Sequence, residues 1–334
     1  MKEKPDFVAL QNLAAEKFGA KVLYCTDDFF APVENLLKAG RGIFIEDKYT
    51  DRGKWMDGWE SRRKRTEGHD YCIIRLGAMG TLRGLDIDTN HFKGNHPPYA
   101  SVEACCLPMD ATVEEIENHD DWDALVKKVA LNPDSQHYID MYSDYNFTHL
   151  KLHIYPDGGV ARFKVYGSVS VDWNEHDKEA VIDLAAAQMG AKAVLCNDMF
   201  FSHMDNLIMP GRGVNMGDGW ETKRNRMLGN RDWVVIQLAK EGCIHQAVID
   251  TCHFKGNYPD TFSLEGVKLR QGQRITEANI DSLDWQEILP KQKLGPDQEH
   301  TYNDIPNNNS FTHVRLNIFP DGGISRMRLF GTVV

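Results

Sequence analysis

The sequence contains no run of about 18 apolar residues, the length a membrane-spanning helix needs, so no membrane partner is expected. Its opening residues, Met1 to Leu10, lack the apolar stretch of a secretory signal, and the reading is a soluble, cytoplasmic protein. A basic excess is also missing: the net charge is −11. That argues against nucleic acid as a partner, because phosphate backbones need a concentrated cationic surface. A small anion needs only a few well-placed arginines. The seven cysteines are odd in number and form no CxxC pair, which argues against a disulfide frame or a zinc knuckle. Cys25 and Cys196 read as small buried apolar residues. Long helical periodicity is scarce and no HExxH cluster occurs.

What the sequence does contain is written twice. Leu13 to Lys21 matches Leu184 to Lys192, and Cys25 to Phe30 matches Cys196 to Phe201, at an offset of 171. Gly40-Arg41-Gly42 returns as Gly211-Arg212-Gly213 in the same register. The offset is 161 at Asp57-Gly-Trp-Glu60 and Asp218-Gly-Trp-Glu221, so the first copy carries an insertion within Ile43 to Met56. Beyond that the register drifts very little. His91-Phe-Lys-Gly-Asn95 matches His253-Phe-Lys-Gly-Asn257, and Pro156-Asp-Gly-Gly159 with Arg162 matches Pro320-Asp-Gly-Gly323 with Arg326. Residues 1–171 form one repeat, polar residues 172–178 a linker, and residues 179–334 the second repeat.

Each repeat reads as all-β. Leu150, Leu152 and Ile154 alternate with Lys151, His153 and Tyr155, and Val314, Leu316 and Ile318 alternate in the same way. Period-two alternation marks a half-buried strand. The glycines of the Pro-Asp-Gly-Gly run suit a tight reversal. After it, Phe163 and Val165 point inward and Arg162 and Lys164 outward. Further strands are predicted at Tyr71–Leu76, Leu85–Thr89 and Val102–Cys106, with counterparts at Trp233–Leu238, Val248–Thr251 and Ser263–Leu269. Leu10–Phe18 and Val181–Met189 read as helical turns. Many short strands imply an antiparallel sandwich, with function in loops at one end of the sheets.

Polar residues kept in both copies are the candidates for chemistry. In the first motif Glu60 and Glu221 suit acid or base work. Trp59, Arg62, Arg63, Trp220, Lys223 and Arg224 beside them suit an anionic substrate. The plainer reading is a glycine turn with a core Trp and a surface ion pair. In the second motif Asp88 could orient His91, and Asp250 could orient His253, for proton transfer near neutral pH. Alternatively, Asp caps the turn and His packs against Phe. The same pairs could supply two ligands to a divalent metal. Asn257 lies close by. Glu103 and Glu265 are acids set in apolar strands, where a raised pKa or simple solvent exposure are both open. Arg162 and Arg326 could reach a bound anion or form structural ion pairs. His137, His149, His300 and His313 read as structural hydrogen-bonding residues.

These three motifs, each present twice in one order, resemble the allantoicase family over roughly Asp6 to Val333. The resemblance implies two tandem jelly-roll β-sandwich domains of galactose-binding or discoidin-like type. It also implies hydrolysis of allantoate to ureidoglycolate and urea in purine (allantoin) degradation, by a homo-oligomer. For that reaction a carboxylate must be held, a leaving nitrogen protonated and a water deprotonated. Arg162 or Arg326, helped by Arg63 or Arg224, are candidates for the carboxylate. Glu221 with His253 is the expected acid–base pair, and the first repeat either works in parallel or is mainly structural. Two rivals are a non-catalytic sandwich binding a sugar or small anion and a purely structural oligomerisation protein. The repeated cations beside acids argue against a neutral sugar.

Overall fold

A computed structural model describes residues 4–303, 305 and 309–334. The chain divides into two compact units, one ending at Val171 and the other beginning at Asp172. Both are built almost wholly of antiparallel strands.

The organising element of each unit is one 19-residue strand, Asp70–Asp88 in the first and Asp232–Asp250 in the second. Two separate strands were expected along each of these stretches. Instead the chain stays extended and passes from one layer of the sandwich to the other. The first half of Asp70–Asp88 pairs with Lys21–Cys25 and Phe147–Tyr155, and the second half with Arg162–Val169 and Gln136–Asp140. Glycine permits the crossing. A Cβ on Gly80 would lie 2.5 Å from the Ser168 carbonyl oxygen, and one on Gly242 would lie 2.6 Å from that of Thr332. No side chain fits where the backbones approach so closely.

The alternating strands bury the faces expected of them. Leu150, Leu152 and Ile154 are fully buried, as are Val314, Leu316 and Ile318. Phe163, Val165, Met327 and Leu329, from the strands that follow the Pro-Asp-Gly-Gly turns, are fully buried as well. Each such side chain contributes about 1.5–3 kcal/mol on burial. The segments read as helical turns are different in detail. Gln11–Asn12 and Ile182–Asp183 are short strands, and only Glu16–Phe18 and Ala187–Met189 coil, as single 3-10 turns. Their lengths are too short to nucleate a helix, and pairing with the last strand of each unit satisfies the backbone instead. Cys25 and Cys196 are half-buried rather than fully enclosed.

Candidate active site

The three duplicated motifs meet at one end of each sandwich. Trp59–Glu60 pairs with Gly159–Val160, and the Gly159 N–H donates to the Asn95 carbonyl at 2.7 Å. In the second repeat Trp220–Glu221 pairs with Gly323–Ile324, and the Gly323 N–H donates to the Asn257 carbonyl at 2.8 Å. The closing glycine is obligatory: a Cβ on Gly159 would stand 2.0 Å from the Phe92 ring, and one on Gly323 would stand 1.9 Å from the Phe254 ring. Packing of the repeated Phe of the second motif therefore fixes where the first and third motifs join.

That junction aims a carboxylate at an asparagine. Asn257 Nδ2 donates to Glu221 Oε1 at 2.5 Å, and Asn95 Nδ2 donates to Glu60 Oε1 at 2.7 Å. Burial pushes the Glu60 carboxyl above the usual glutamate range, against the Asn95 hydrogen bond. Glu221 and Asn257 line a pocket of about 680 Å³ together with Phe200, Phe201, Lys223 and Arg224. Arg63 and Arg224 are exposed and form no hydrogen bond or ion pair with any described residue. The Lys223 ammonium lies 5.8 Å from the Phe200 ring. An acid held by a neutral donor, beside unpaired cations and two exposed aromatic rings, can take an anionic, hydrogen-bonding molecule and move a proton on it.

Arg62, the counterpart of Lys223, behaves differently. Its Nε donates to Asp27 at 2.7 Å and its guanidinium lies over Phe29 at 5.2 Å. The insertion of the first repeat reaches the same place. It forms a small hairpin, Tyr49–Thr50 with Gly53–Lys54, and Arg52 donates to the Phe29 carbonyl at 3.2 Å. Phe29 and Phe30 are accordingly less exposed than Phe200 and Phe201.

Several expected site residues belong to the scaffold. Trp59 and Trp220 have no exposed surface, and their indole N–H groups donate to the Asp27 and Asp198 carbonyls at 2.8 Å. They anchor the aromatic loops and offer no face to a ligand. Arg162 and Arg326 were expected to face outward and hold a carboxylate. Both are buried, and their terminal nitrogens donate to the main chain and side chains of Asp57 and Asp218, while each Nε is buried without a hydrogen-bond partner. Against the upward push of burial, the Arg162 guanidinium and the Ile43 N–H hold the Asp57 carboxyl below the usual range. The Asp–His pairs do not form. Asp88 accepts two hydrogen bonds from Arg41, at 2.8 and 2.9 Å, and Asp250 is held in the same way by Arg212. His91 and His253 adopt left-handed backbones, φ 67° and 70°, and point elsewhere. His253 Nε2 donates to the Gly213 carbonyl at 2.9 Å, and no hydrogen bond joins His253 to Glu221 among the described residues.

The remaining acids and histidines are also placed. Glu103 bonds His153, which bonds His69, whereas Glu265 is clamped by Arg315 and Asn317. His137 and His300 hold turns by accepting from Asn132 and Gly295 N–H groups. His149 is buried and His313 half-buried, and desolvation drives each pKa down to about 4. Arg41 and Arg212 were visible only as part of a repeated Gly-Arg-Gly and were not singled out. Their presence in both copies was the available signal.

A tandem pair of antiparallel sandwiches, each with an acid–amide–cation cluster at one end, defines a duplicated small-molecule enzyme. A family model described as allantoicase repeat matches residues 11–170 and again 182–334. A probable allantoicase of Photobacterium profundum is 47% identical, covering 99% of both chains. One from Pseudomonas fluorescens strain Pf0-1 is 48% identical over 98% of this chain and 97% of its own. The crystal structure of allantoicase from Saccharomyces cerevisiae superposes with a TM-score of 0.75 at 38% identity, over 96% of this chain and 92% of that one. The chain belongs to the allantoicase family.

Proposed function

We propose that the chain hydrolyses allantoate to ureidoglycolate and urea, and that the second repeat's pocket is where it does so. The observation that carries the placement is Glu221, fixed by Asn257 at the wall of a pocket whose Arg224 has no hydrogen bond or ion pair among the described residues. Allantoate carries its carboxylate and two ureido groups on one carbon. Arg224, with Lys223 nearby, attracts the carboxylate. Glu221 serves as the proton carrier: it takes a proton from water as the new C–O bond forms and delivers one to the ureido nitrogen as the C–N bond breaks. Urea leaves and ureidoglycolate keeps the carboxylate. Asn257 keeps the working oxygen of Glu221 aimed at that carbon, and the Phe200 and Phe201 rings wall off the site.

A neutral-sugar module would have little use for this acid among unpaired cations. The reading extends to a homo-oligomer in a reducing cytosol. Seven free thiols and the exposed Val214, Met227 and Leu228 support that extension. Incubation with allantoate and colorimetric measurement of urea tests the activity. Glu221→Gln should abolish most urea release while leaving the circular dichroism spectrum unchanged. Full turnover in that variant would move the site elsewhere.

A further inference from the structure

Beside the pocket, on the loop that carries Asn257, lies a set of donors that the acid–base chemistry leaves unused. Cys252 Sγ, a ring nitrogen of His253 and a carboxylate oxygen of Asp297 all lie within 4.8 Å of one another. We propose that this is a binding site for a zinc-class divalent cation, present in the second repeat alone.

Three features of the geometry carry it. A carbonyl can only accept, so the hydrogen bond from His253 Nε2 to Gly213 O puts the proton on Nε2 and leaves the Nδ1 lone pair free. Metal-binding histidines are commonly oriented in this way, the far nitrogen donating to a carbonyl or carboxylate. Asp297 is held in place because one of its oxygens accepts the His253 N–H at 2.7 Å, and both residues sit in left-handed turns that face each other. The Cys252 sulfur has no hydrogen-bond partner among the described residues, while its own N–H is tied to Asp250 at 2.8 Å. Thiolate, imidazole and carboxylate together suit zinc better than magnesium or calcium, and three protein ligands leave a position open.

The first repeat supplies an internal control. It keeps the His91 turn and Asp134, whose Oδ1 accepts the His91 N–H at 2.8 Å, but has Asn90 in place of the thiol. Asn90 Nδ2 donates to the Gly42 carbonyl, the counterpart of the carbonyl that orients His253. The frame therefore exists in both repeats, and the sulfur and the oriented imidazole in only one.

The experiment uses the full chain, stripped with chelator and titrated with Co²⁺. A thiolate-to-cobalt charge-transfer band should rise and saturate at one ion per chain, and added Zn²⁺ should bleach it. Cys252→Asn, which installs the first repeat's residue, should remove the band. Asp297→Asn is exposed and keeps the acceptor for the His253 N–H, and it should weaken cobalt binding by about tenfold or more. Cys243→Ser should leave the titration unchanged. No band at millimolar Co²⁺, or a band that survives in Cys252→Asn, overturns the site. If Cys252→Asn proves unfolded, Asp297→Asn decides: an unchanged cobalt affinity there refutes the proposal. Each readout is spectroscopic, so the result stands whatever the allantoate assay gives.

Discussion

Replacing Arg326 by methionine separates a substrate clamp from a structural ion pair. The side chain is 4% exposed, and its Nη2 lies 2.8 Å from Asp218 Oδ2, a carboxylate that also accepts the Val214 N–H at 3.1 Å. Its other terminal nitrogen caps the carbonyls of Asp218 and Ser325. Removing the guanidinium strands a buried carboxylate and leaves two carbonyls without their donor. Breaking one partner out of a buried pair destabilises by about 3–5 kcal/mol. Little screening is available at this exposure, so the upper half of that range is expected. Urea denaturation followed by tryptophan fluorescence should show an earlier transition for the second repeat. Adding Asp218→Asn should recover part of the loss, because the stranded charge is gone. At temperatures where Arg326→Met is folded, KM for allantoate should match the parent. An unchanged denaturation midpoint with KM raised about tenfold or more would refute the reasoning and return Arg326 to the substrate.

Glu221→Gln should lower the rate of urea release by about 10²–10⁴-fold, the usual contribution of a positioned acid or base, with KM nearly unchanged. Arg224→Ala should instead raise KM, and an effect on kcat alone in steady-state assays would count against its role in holding the carboxylate. Trp220→Phe loses the hydrogen bond to Asp198 and should cost about 1–3 kcal/mol in thermal unfolding, reported by calorimetry. Asp86 is fully buried, and burial raises its pKa from 3.8 to about 6. The folded chain then holds a proton that the unfolded chain has released, so stability contributed by Asp86 falls as pH rises from about 4 through 6 and is lost above that. Asp86→Asn should therefore stabilise the protein at pH 8 by up to about 3 kcal/mol and leave it unchanged near pH 4, as read from chemical denaturation at the two pH values.

The duplication was legible in the sequence because it needs only residue identity, and it pointed to the end of each sandwich where the three motifs meet. The limits of that filter are equally physical. Trp220 and Arg326 recur in both copies just as Glu221 does, since the frame that aims a side chain must be copied with it. Recurrence cannot tell an indole that anchors a loop from one that stacks on a ligand; only burial can. The Asp–His pairing failed because Asp88 and Asp250 are claimed from far along the chain by Arg41 and Arg212, a long-range partner that local spacing does not reveal. Alternation identified the strands of Phe147–Tyr155 and Ser310–Phe319 correctly. It missed the unbroken course of Asp70–Asp88 because the alternation breaks between Leu76 and Leu85, where the close backbone approach at Gly80 serves as a crossing point.

The short first strand of each repeat lies against its last: Gln11 opposes Gly167, and Ile182 opposes Gly331. A domain closed in this way begins and finishes at one spot on its own surface. Such a unit can be copied head to tail with a handful of residues between the copies, and neither copy has to reach across itself to find the next. It also predicts that each repeat tolerates new chain ends in its loops once the old ones are joined. The tandem arrangement of this enzyme is thus already written into the topology of a single repeat.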